Sequence, residues 1–231
     1  MQIRSKIVYA GLFIFMVGLL WLSLRYSDNY LLLSFGFVLI SFLFIILRFE
    51  KRKMEARELV LLAVLAAIAA VGRIPFASIP SVQPTTFVIM ISGLVFGAES
   101  GFMIGVIAAL ASNMILGQGP WTPWQMMAWG LVGLTAGLFN QSRLMSTLKG
   151  KIIFGIVWGF LFGWIMNLWS LLAIAQSGEA LNIKSIYTYL ASSVLFDFFH
   201  SISNVIFLVL FSKSWIKILT RFKRKYGLME K

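Results

Sequence analysis

The chain has 231 residues, of which 60% are hydrophobic and only 12% are charged, and its mean hydropathy is +0.90. A soluble domain of this length has too little interior to bury so many apolar side chains, so the composition excludes that class and indicates an all-α membrane protein. The chain contains no cysteine, which excludes disulfides, metal–thiolate clusters and a thiol nucleophile.

Apolar runs long enough to cross a bilayer follow one another along the chain. About 20 residues, at a rise of about 1.5 Å per residue, span a hydrocarbon core about 30 Å thick. No small-x-small cleavage site follows the first run, so we expect a retained span there and not a signal peptide. The runs predict about eight helices, at roughly 7–24, 30–48, 56–72, 82–97, 101–117, 122–139, 152–175 and 187–211.

The lysines and arginines are distributed unevenly between the two sides of this bundle. With the N terminus inside, all of them except Arg25, Arg73 and Lys184 fall in cytoplasmic segments, where such an excess is expected. The pattern predicts an N-in, C-in protein of the plasma membrane, and it accounts for the net charge of +12 without a nucleic-acid partner. The basic tail KSWIKILTRFKRKYG is interpreted as a positive-inside anchor, as an amphipathic segment on anionic lipid or as a docking surface for a cytoplasmic partner.

The composition changes once, at the charged segment RFEKRKMEARE (48–58). Two aromatic-rich spans with almost no internal polar group precede this segment. Six spans rich in glycine, alanine, asparagine and tryptophan follow it. We therefore predict an accessory N-terminal transmembrane hairpin at 1–53 and a six-helix core with a basic tail at 54–231.

All five prolines lie in two segments predicted to face outside, GRIPFASIPSVQPTTF (72–87) and GQGPWTPWQ (117–125). Proline fixes φ and ends helices, so both segments are expected to be semi-rigid. The run after Pro84 has only 13 residues before the AES turn, which makes a helix of about 20 Å, too short for the hydrocarbon. We therefore expect the preceding loop to dip inward as the wall of an outward-facing pocket. The alternative is an ordinary interfacial loop with a tryptophan belt.

Few polar side chains lie within the predicted spans, and such groups normally face the bundle interior or a cavity. They are Asn113, Gln125, Asn167, Asp197, His200 and Asn204. The last three share one helical face, and the spacing allows a hydrogen bond between Asp197 and His200. A structural network, ligand contact and a proton relay all stay open for this trio. No GxSxG, HExxH or Walker motif and no sufficient metal-ligand set accompanies it, so we predict no enzymatic activity and no metal site.

Small residues recur every four positions in two of the spans. In LLAVLAAIAAVGR, the pairs Ala63/Ala67 and Ala66/Ala70 allow another helix to approach closely. This stretch follows a charged cytoplasmic segment, which also suits it to a separate membrane partner. In GLVGLTAG, packing inside the bundle is favoured for Gly130, Gly133 and Gly137.

The core resembles the substrate-binding S components of energy-coupling factor (ECF) vitamin transporters. The resemblance rests on the small-xxx-small first core helix, on the long outer loop after it, and on the segments VQPTTFVIMISGLVFGAESGFMIG and GQGPWTPWQM. It covers roughly 54–215 and is greatest to the S components linked with cobalamin or related corrinoids. The hairpin 1–53 departs from the family's six-helix pattern.

The resemblance implies a mechanism, in which the S component binds its vitamin from outside beneath the loop between the first two core helices. It then docks on a membrane coupling subunit and topples in the bilayer, while two partner ATPases use ATP. The resemblance implies no cofactor for this chain. It also implies that the protein lies in a bacterial-type cell membrane. The implied coupling interface consists of Ala63, Ala66, Ala67 and Ala70. The implied substrate-binding residues are Arg73, Gln83, Thr85, Asn113, Trp121, Trp124, Gln125, Asn167, Asp197, His200 and Asn204.

Other interpretations of the sequence stay open. The chain is alternatively an S component for riboflavin or another vitamin, or a self-sufficient proton-coupled carrier that uses Asp197 and His200. A third alternative is an intramembrane enzyme or assembly factor acting on a lipid-linked substrate, and the missing nucleophile and paired carboxylates argue against it. Arg73 is expected either to meet a phosphate or carboxylate of the ligand or to anchor its loop at the interface.

Overall fold

The computed structural model describes residues 56–176 and 182–228, together with scattered positions between 11 and 40. Its regular structure in these residues is entirely helical. The helices are α1 (Ala56–Val71), α2 (Thr85–Phe96), α3 (Ala98–Leu116), α4 (Thr122–Leu138), α5 (Arg143–Ser146), α6 (Leu148–Gln176) and α7 (Ile183–Lys225), and a 3-10 turn covers Ile74–Phe76. The predicted hairpin 1–53 lies mostly outside the described residues, and the domain division stays a prediction.

Several of these helices have the length and composition of membrane spans. Four described segments are long and apolar enough to cross a bilayer: Ala56–Phe76, Ala98–Leu116, Leu148–Leu171 and Ile183–Lys225. The expectation of an all-helical protein is therefore confirmed for the described residues, and four of its segments are candidate membrane spans. The count of eight spans and the N-in, C-in orientation stay predictions.

Helix α2 lies at the centre of the bundle, where it contacts α1, α3, α4 and α7. Every residue in it except Leu94 is buried, which explains why its sequence is apolar on all sides. Its 12 residues extend about 18 Å, less than the thickness of a hydrocarbon core. The short helix expected after Pro84 is therefore present, and it is enclosed by the protein itself.

Glycines allow α2, α3 and α4 to touch through their backbones. A Cβ atom added to Gly133 of α4 would lie 2.8 Å from the Cα of Gly101 in α3. One added to Gly93 of α2 would lie 3.1 Å from the carbonyl carbon of Gly133. Since a methyl group does not fit at either point, these positions require glycine. The expectation that the GLVGLTAG glycines serve internal packing is confirmed.

A second row of glycines, which the sequence analysis missed, joins α6 to α7. Gly155, Gly159 and Gly163 recur every four residues in GIVWGFLFG and so lie on one face of α6. A Cβ atom on Gly159 would lie 2.8 Å from the backbone nitrogen and Cα of Ser201 in α7, and one on Gly163 would collide with the carboxylate of Asp197. The small-xxx-small spacing was the signal that could have revealed this contact.

Helix α7 is longer than predicted, because it continues past residue 211 to Lys225. The segment 212–225 contains neither proline nor glycine, and one side of it packs on the bundle. Leu219 is buried, and the ring of Trp215 lies 5.5 Å from that of Phe87. Lys223 Nζ donates a hydrogen bond of 2.8 Å to the carbonyl oxygen of Val95. The basic tail is thus a continuation of α7, and its interpretations as an anchor, an amphipathic segment on lipid or a docking surface stay predictions.

Candidate functional site

A polar cluster centred on Arg73 lies where loops 72–84 and 117–121 meet, at what we call the loop end of the bundle. The Nε atom of Arg73 donates to Oε1 of Gln83 at 2.9 Å. Its Nη1 atom donates to Oγ of Ser112 at 2.6 Å and to Oδ1 of Asn113 at 2.8 Å. Arg73 follows α1, Gln83 precedes α2, and the other two residues lie near the end of α3, so three elements converge on one guanidinium.

Asn113 extends this cluster to α4. Its Nδ2 atom donates to Oε1 of Gln125 at 2.6 Å and to Oγ1 of Thr122 at 3.2 Å. Thr122 in turn donates to Oε1 of Gln118 at 2.9 Å. Gly117 has a φ of +117°, a left-handed value that favours glycine, and this allows the chain to turn sharply out of α3. The buried amides therefore satisfy one another across the start of α4.

The charge of Arg73 is not matched by a carboxylate in the described part of the chain. Its side-chain acceptors are two amides and a hydroxyl, and its guanidinium carbon lies 4.9 Å from the centroid of the Trp129 ring. Nη2 makes no hydrogen bond within the described residues, so two of the five N–H donors of this side chain are available. A fixed cation with a spare donor edge is suited to an anionic group of a ligand.

A second polar group lies behind this cluster, around a threonine that the sequence analysis did not select. The Nε1 atom of Trp129 donates to Oγ1 of Thr86 at 3.1 Å, and the same oxygen lies 2.7 Å from Nε2 of His200. The hydroxyl hydrogen of Thr86 is then free to donate to His200. The imidazole also packs edge-on against the ring of Phe162, with 5.0 Å between centroids. His200 is therefore held in place from two sides.

Asp197 belongs to a different cluster, between α6 and α7. Asn167 Nδ2 donates to Ser193 Oγ at 2.6 Å, and Ser193 donates to Oδ2 of Asp197 at 3.0 Å. The hydrogen bond that the sequence allowed between Asp197 and His200 is absent from the described structure. The reason is that the carboxylate enters the gap left by Gly163, whereas the imidazole turns toward α2.

The remaining predicted site residues lie outside the Arg73 cluster. Thr85 donates to the carbonyl oxygen of Ala69 at 2.9 Å, and Asn204 Nδ2 donates to that of Gly155 at 2.9 Å. Trp124 is buried in the core, and Trp121 packs edge-on against Trp169 with 6.1 Å between ring centroids. Of the eleven predicted binding residues, the structure joins four to one another by direct hydrogen bonds. These four are Arg73, Gln83, Asn113 and Gln125.

Loop 72–84 is fixed to α7 through Ser203. Ser203 Oγ accepts a hydrogen bond from the backbone N–H of Gln83 at 2.9 Å and donates one to its carbonyl oxygen at 3.0 Å. Ser203 lies twenty residues after the first residue of α7, Ile183, which corresponds to about 30 Å along the helix. The loop therefore enters the bundle, as the short length of helix α2 predicts.

We expect Ser203→Ala to destabilise the protein by about 1–3 kcal/mol, because it leaves the backbone donor and acceptor of Gln83 without their partner. Thermal unfolding in mild detergent measures the loss, and hydrogen exchange should increase at the amide of Gln83. The matched control is Ser192→Ala, since Ser192 is exposed on the same helix. Equal stability of the two variants would contradict the role of Ser203 in fixing loop 72–84 to α7.

The four alanines of α1 differ in exposure. Ala66 and Ala70 are 0% and 2% exposed and lie within the core. Ala63 and Ala67 are exposed, next to the exposed Val64. At about 100° per residue all four lie within an arc of about 100°, at the boundary between the buried and the exposed side of the helix, and the coupling interface stays a prediction. Only Ala63 and Ala67 are accessible to a partner in this structure.

Comparison with known families identifies the class of protein. The model of the family described as ECF transporter, substrate-specific component, matches residues 57–213. The chain therefore belongs to this family, whose members are transporter subunits that work with an energy-coupling module and are not enzymes. Within the described residues, no group of three or more His, Cys, Asp and Glu side chains is placed to hold a metal ion.

Curated relatives match a shorter part of the chain. A UPF0397 protein of Aliivibrio fischeri (strain MJ11) is 28% identical over 124 residues, which cover 48% of this chain and 67% of that protein. A UPF0397 protein of Vibrio atlanticus (strain LGP32) is 29% identical over 103 residues, which cover 42% of this chain and 56% of that protein. No solved structure matches the chain.

Proposed function

We propose that this chain is the substrate-binding subunit of an ECF-type ABC transporter that takes up a vitamin from outside the cell, with cobalamin or a related corrinoid as the first candidate. The ligand enters at the loop end. A membrane coupling subunit and two ATPases complete the transporter, and ATP is used by those partners. The observation that carries the proposal is the Arg73 cluster, a fixed cation among amides beneath a proline-containing loop.

The chemistry of the cluster favours a ligand with one anionic group and several amides or hydroxyls. The free Nη2 edge of Arg73 suits a phosphate or a carboxylate. Gln83 and Gln125 each offer amide groups, and Trp121 at the start of α4 offers a ring face. Cobalamin carries a phosphodiester, peripheral amides and a broad ring, so it has a group for each of these features.

We assign direct ligand contact to Arg73, Gln83, Gln125 and Trp121. The other predicted residues act by position, since their side chains lie inside the core or already make hydrogen bonds within the bundle, although Oδ1 of Asn204 has no partner among the described residues. Asn113 holds both the guanidinium and Gln125, and His200 holds Thr86 beneath them. The positioning residues are Thr85, Asn113, Trp124, Asn167, Asp197, His200 and Asn204.

The experiment that tests the proposal is native mass spectrometry with an absorbance spectrum on the full chain purified in mild detergent. We expect a co-purifying molecule of vitamin mass, and a visible chromophore would distinguish a corrinoid from a flavin. A protein without ligand, which also gives no heat with a panel of vitamins in titration calorimetry, would contradict the proposal.

We expect Arg73→Met to weaken binding of the anionic ligand by at least 10-fold, because a hydrogen bond to a charged group contributes about 1.5–3 kcal/mol. Arg73→Lys should recover only part of the affinity, since an ammonium lacks the planar donor edge. Titration calorimetry measures both values. Arg143→Met is the matched control, because Arg143 is exposed at the opposite end of the bundle and its loss should leave the affinity unchanged.

Uptake into proteoliposomes separates the proposal from the proton-coupled alternative. We expect the chain alone to bind the vitamin without accumulating it, and accumulation to require the coupling subunit, the ATPases and ATP. Accumulation by the chain alone that an uncoupler abolishes, and that Asp197→Asn also abolishes, would favour a carrier instead.

A further inference from the structure

A basic groove lies at the end of the bundle opposite the loop end, which we call the basic end. It has a volume of about 1090 Å³ and runs between the first turn of α6 and the last turns of α7. A smaller groove of about 520 Å³ reaches toward α2 and α5 and shares Lys151, Ile216, Thr220 and Arg224 with it. The basic side chains of the larger groove are Lys151, Lys213, Lys217, Arg221, Arg224 and Lys225.

The charge of this groove is not balanced by any of the residues that form it. None of its lining residues is acidic. Lys151 is only 8% exposed, and the hydrogen bond of its ammonium goes to the carbonyl oxygen of Thr147 at 3.3 Å. A buried ammonium is unfavourable without a countercharge. Lys151 also lies in the first turn of α6, at the positive end of that helix, where an anion is favoured and a cation is not.

The walls of the groove are apolar as well as cationic. Leu148, Val209 and Ile216 line it, and Leu148 and Val209 are exposed. Val209 precedes Lys225 by sixteen residues, so the lining extends about 24 Å along α7, from apolar side chains to basic ones. An amphiphilic ligand with an anionic head and an apolar tail matches this gradient, whereas a soluble anion would use only one part of it.

We propose that the basic groove is a binding site for an anionic phospholipid, with the phosphate at Lys151 and Arg224 and an acyl chain along Leu148 and Val209. Basic pockets between membrane helices bind anionic headgroups in this way. The site is separate from the Arg73 cluster and does not depend on the identity of the transported ligand. Val95 and Lys223, which are joined by a hydrogen bond, line the smaller groove that adjoins it, so bound lipid would stabilise the attachment of α7 to α2.

Native mass spectrometry of the full chain tests this site. The protein is stripped of lipid in detergent and titrated with phosphatidylglycerol or with phosphatidylcholine of the same acyl chains. We expect at least a several-fold preference for phosphatidylglycerol. The double variant Lys151→Gln/Arg224→Gln should bind phosphatidylglycerol no better than phosphatidylcholine. The matched control is Arg143→Gln/Lys149→Gln, which removes two exposed charges near the groove and should keep the preference.

Thermal unfolding gives a second measurement with distinct outcomes. Phosphatidylglycerol should raise the unfolding midpoint of the wild type and of the control variant but not that of the double variant. If the double variant does not fold, Lys217→Gln/Arg224→Gln replaces it, because both of these residues are exposed. Equal binding of the two lipids, equal losses in variant and control, or stabilisation by inorganic phosphate without lipid preference would each overturn the proposal.

Discussion

Gly159→Leu is expected to destabilise the protein by about 3 kcal/mol or more, the upper part of the range for overpacking a close contact. A Cβ atom at this position already lies 2.8 Å from two backbone atoms of Ser201, and backbone cannot rotate away as a side chain can. The larger side chain must therefore separate α6 from α7 and break the Asn204–Gly155 hydrogen bond of 2.9 Å. Thermal unfolding in detergent and the size-exclusion profile measure the effect.

Val157→Leu is the matched control for this substitution. Val157 lies two residues earlier on α6 and is exposed, so the same new side chain should be tolerated there. Comparable midpoints for the two variants would show that α6 and α7 are not packed as closely as the glycine row requires.

The second large effect is expected from Ala67→Trp, which should abolish assembly with the coupling subunit while leaving ligand binding by the isolated chain unchanged. This result follows from the proposed function. Ala67 is exposed on α1 and makes room for a close helix partner, and an indole would fill that space. Co-purification of the coupling subunit and ATP-dependent uptake report on assembly, and calorimetry on the isolated chain reports on binding.

The neighbouring residue provides the contrast for this experiment. Ala66 is fully buried against the protein's own core, so Ala66→Trp should prevent folding and lose both binding and assembly. If Ala67→Trp also lost ligand binding, the outer face of α1 would serve internal packing and the proposed interface would be wrong.

The sequence predicts the positions of the core helices well, because a membrane span requires an uninterrupted apolar length. The expected spans 56–72 and 122–139 correspond to Ala56–Val71 and Thr122–Leu138. The end of α7 is predicted poorly for a physical reason. Hydropathy marks where a helix becomes too polar for lipid, but a helix whose apolar side packs on its own protein continues beyond that point.

The candidate site is predictable only in part. Arg73 and Asn113 stand out because charged and amide groups are rare in apolar surroundings. Thr86 and Trp129 do not stand out in the sequence. For Thr86 the reason is that a hydroxyl within a helix commonly bonds to its own backbone, as Ser92 does with the carbonyl oxygen of Val88 at 2.7 Å. Helical spacing places Asp197 beside His200, but the neighbouring helices decide which partner each side chain reaches.

The two attachments of α7 to α2 have a mechanical consequence. Ser203 holds Gln83 just before α2 begins, and Lys223 holds Val95 near its end. The short central helix is therefore fastened at both ends to one long neighbour, and the two should move as a single rigid body. Any opening of loop 72–84 must then be accommodated in the nine residues 74–82, between the Arg73 and Gln83 anchors, because the residues on either side of them are held by the bundle.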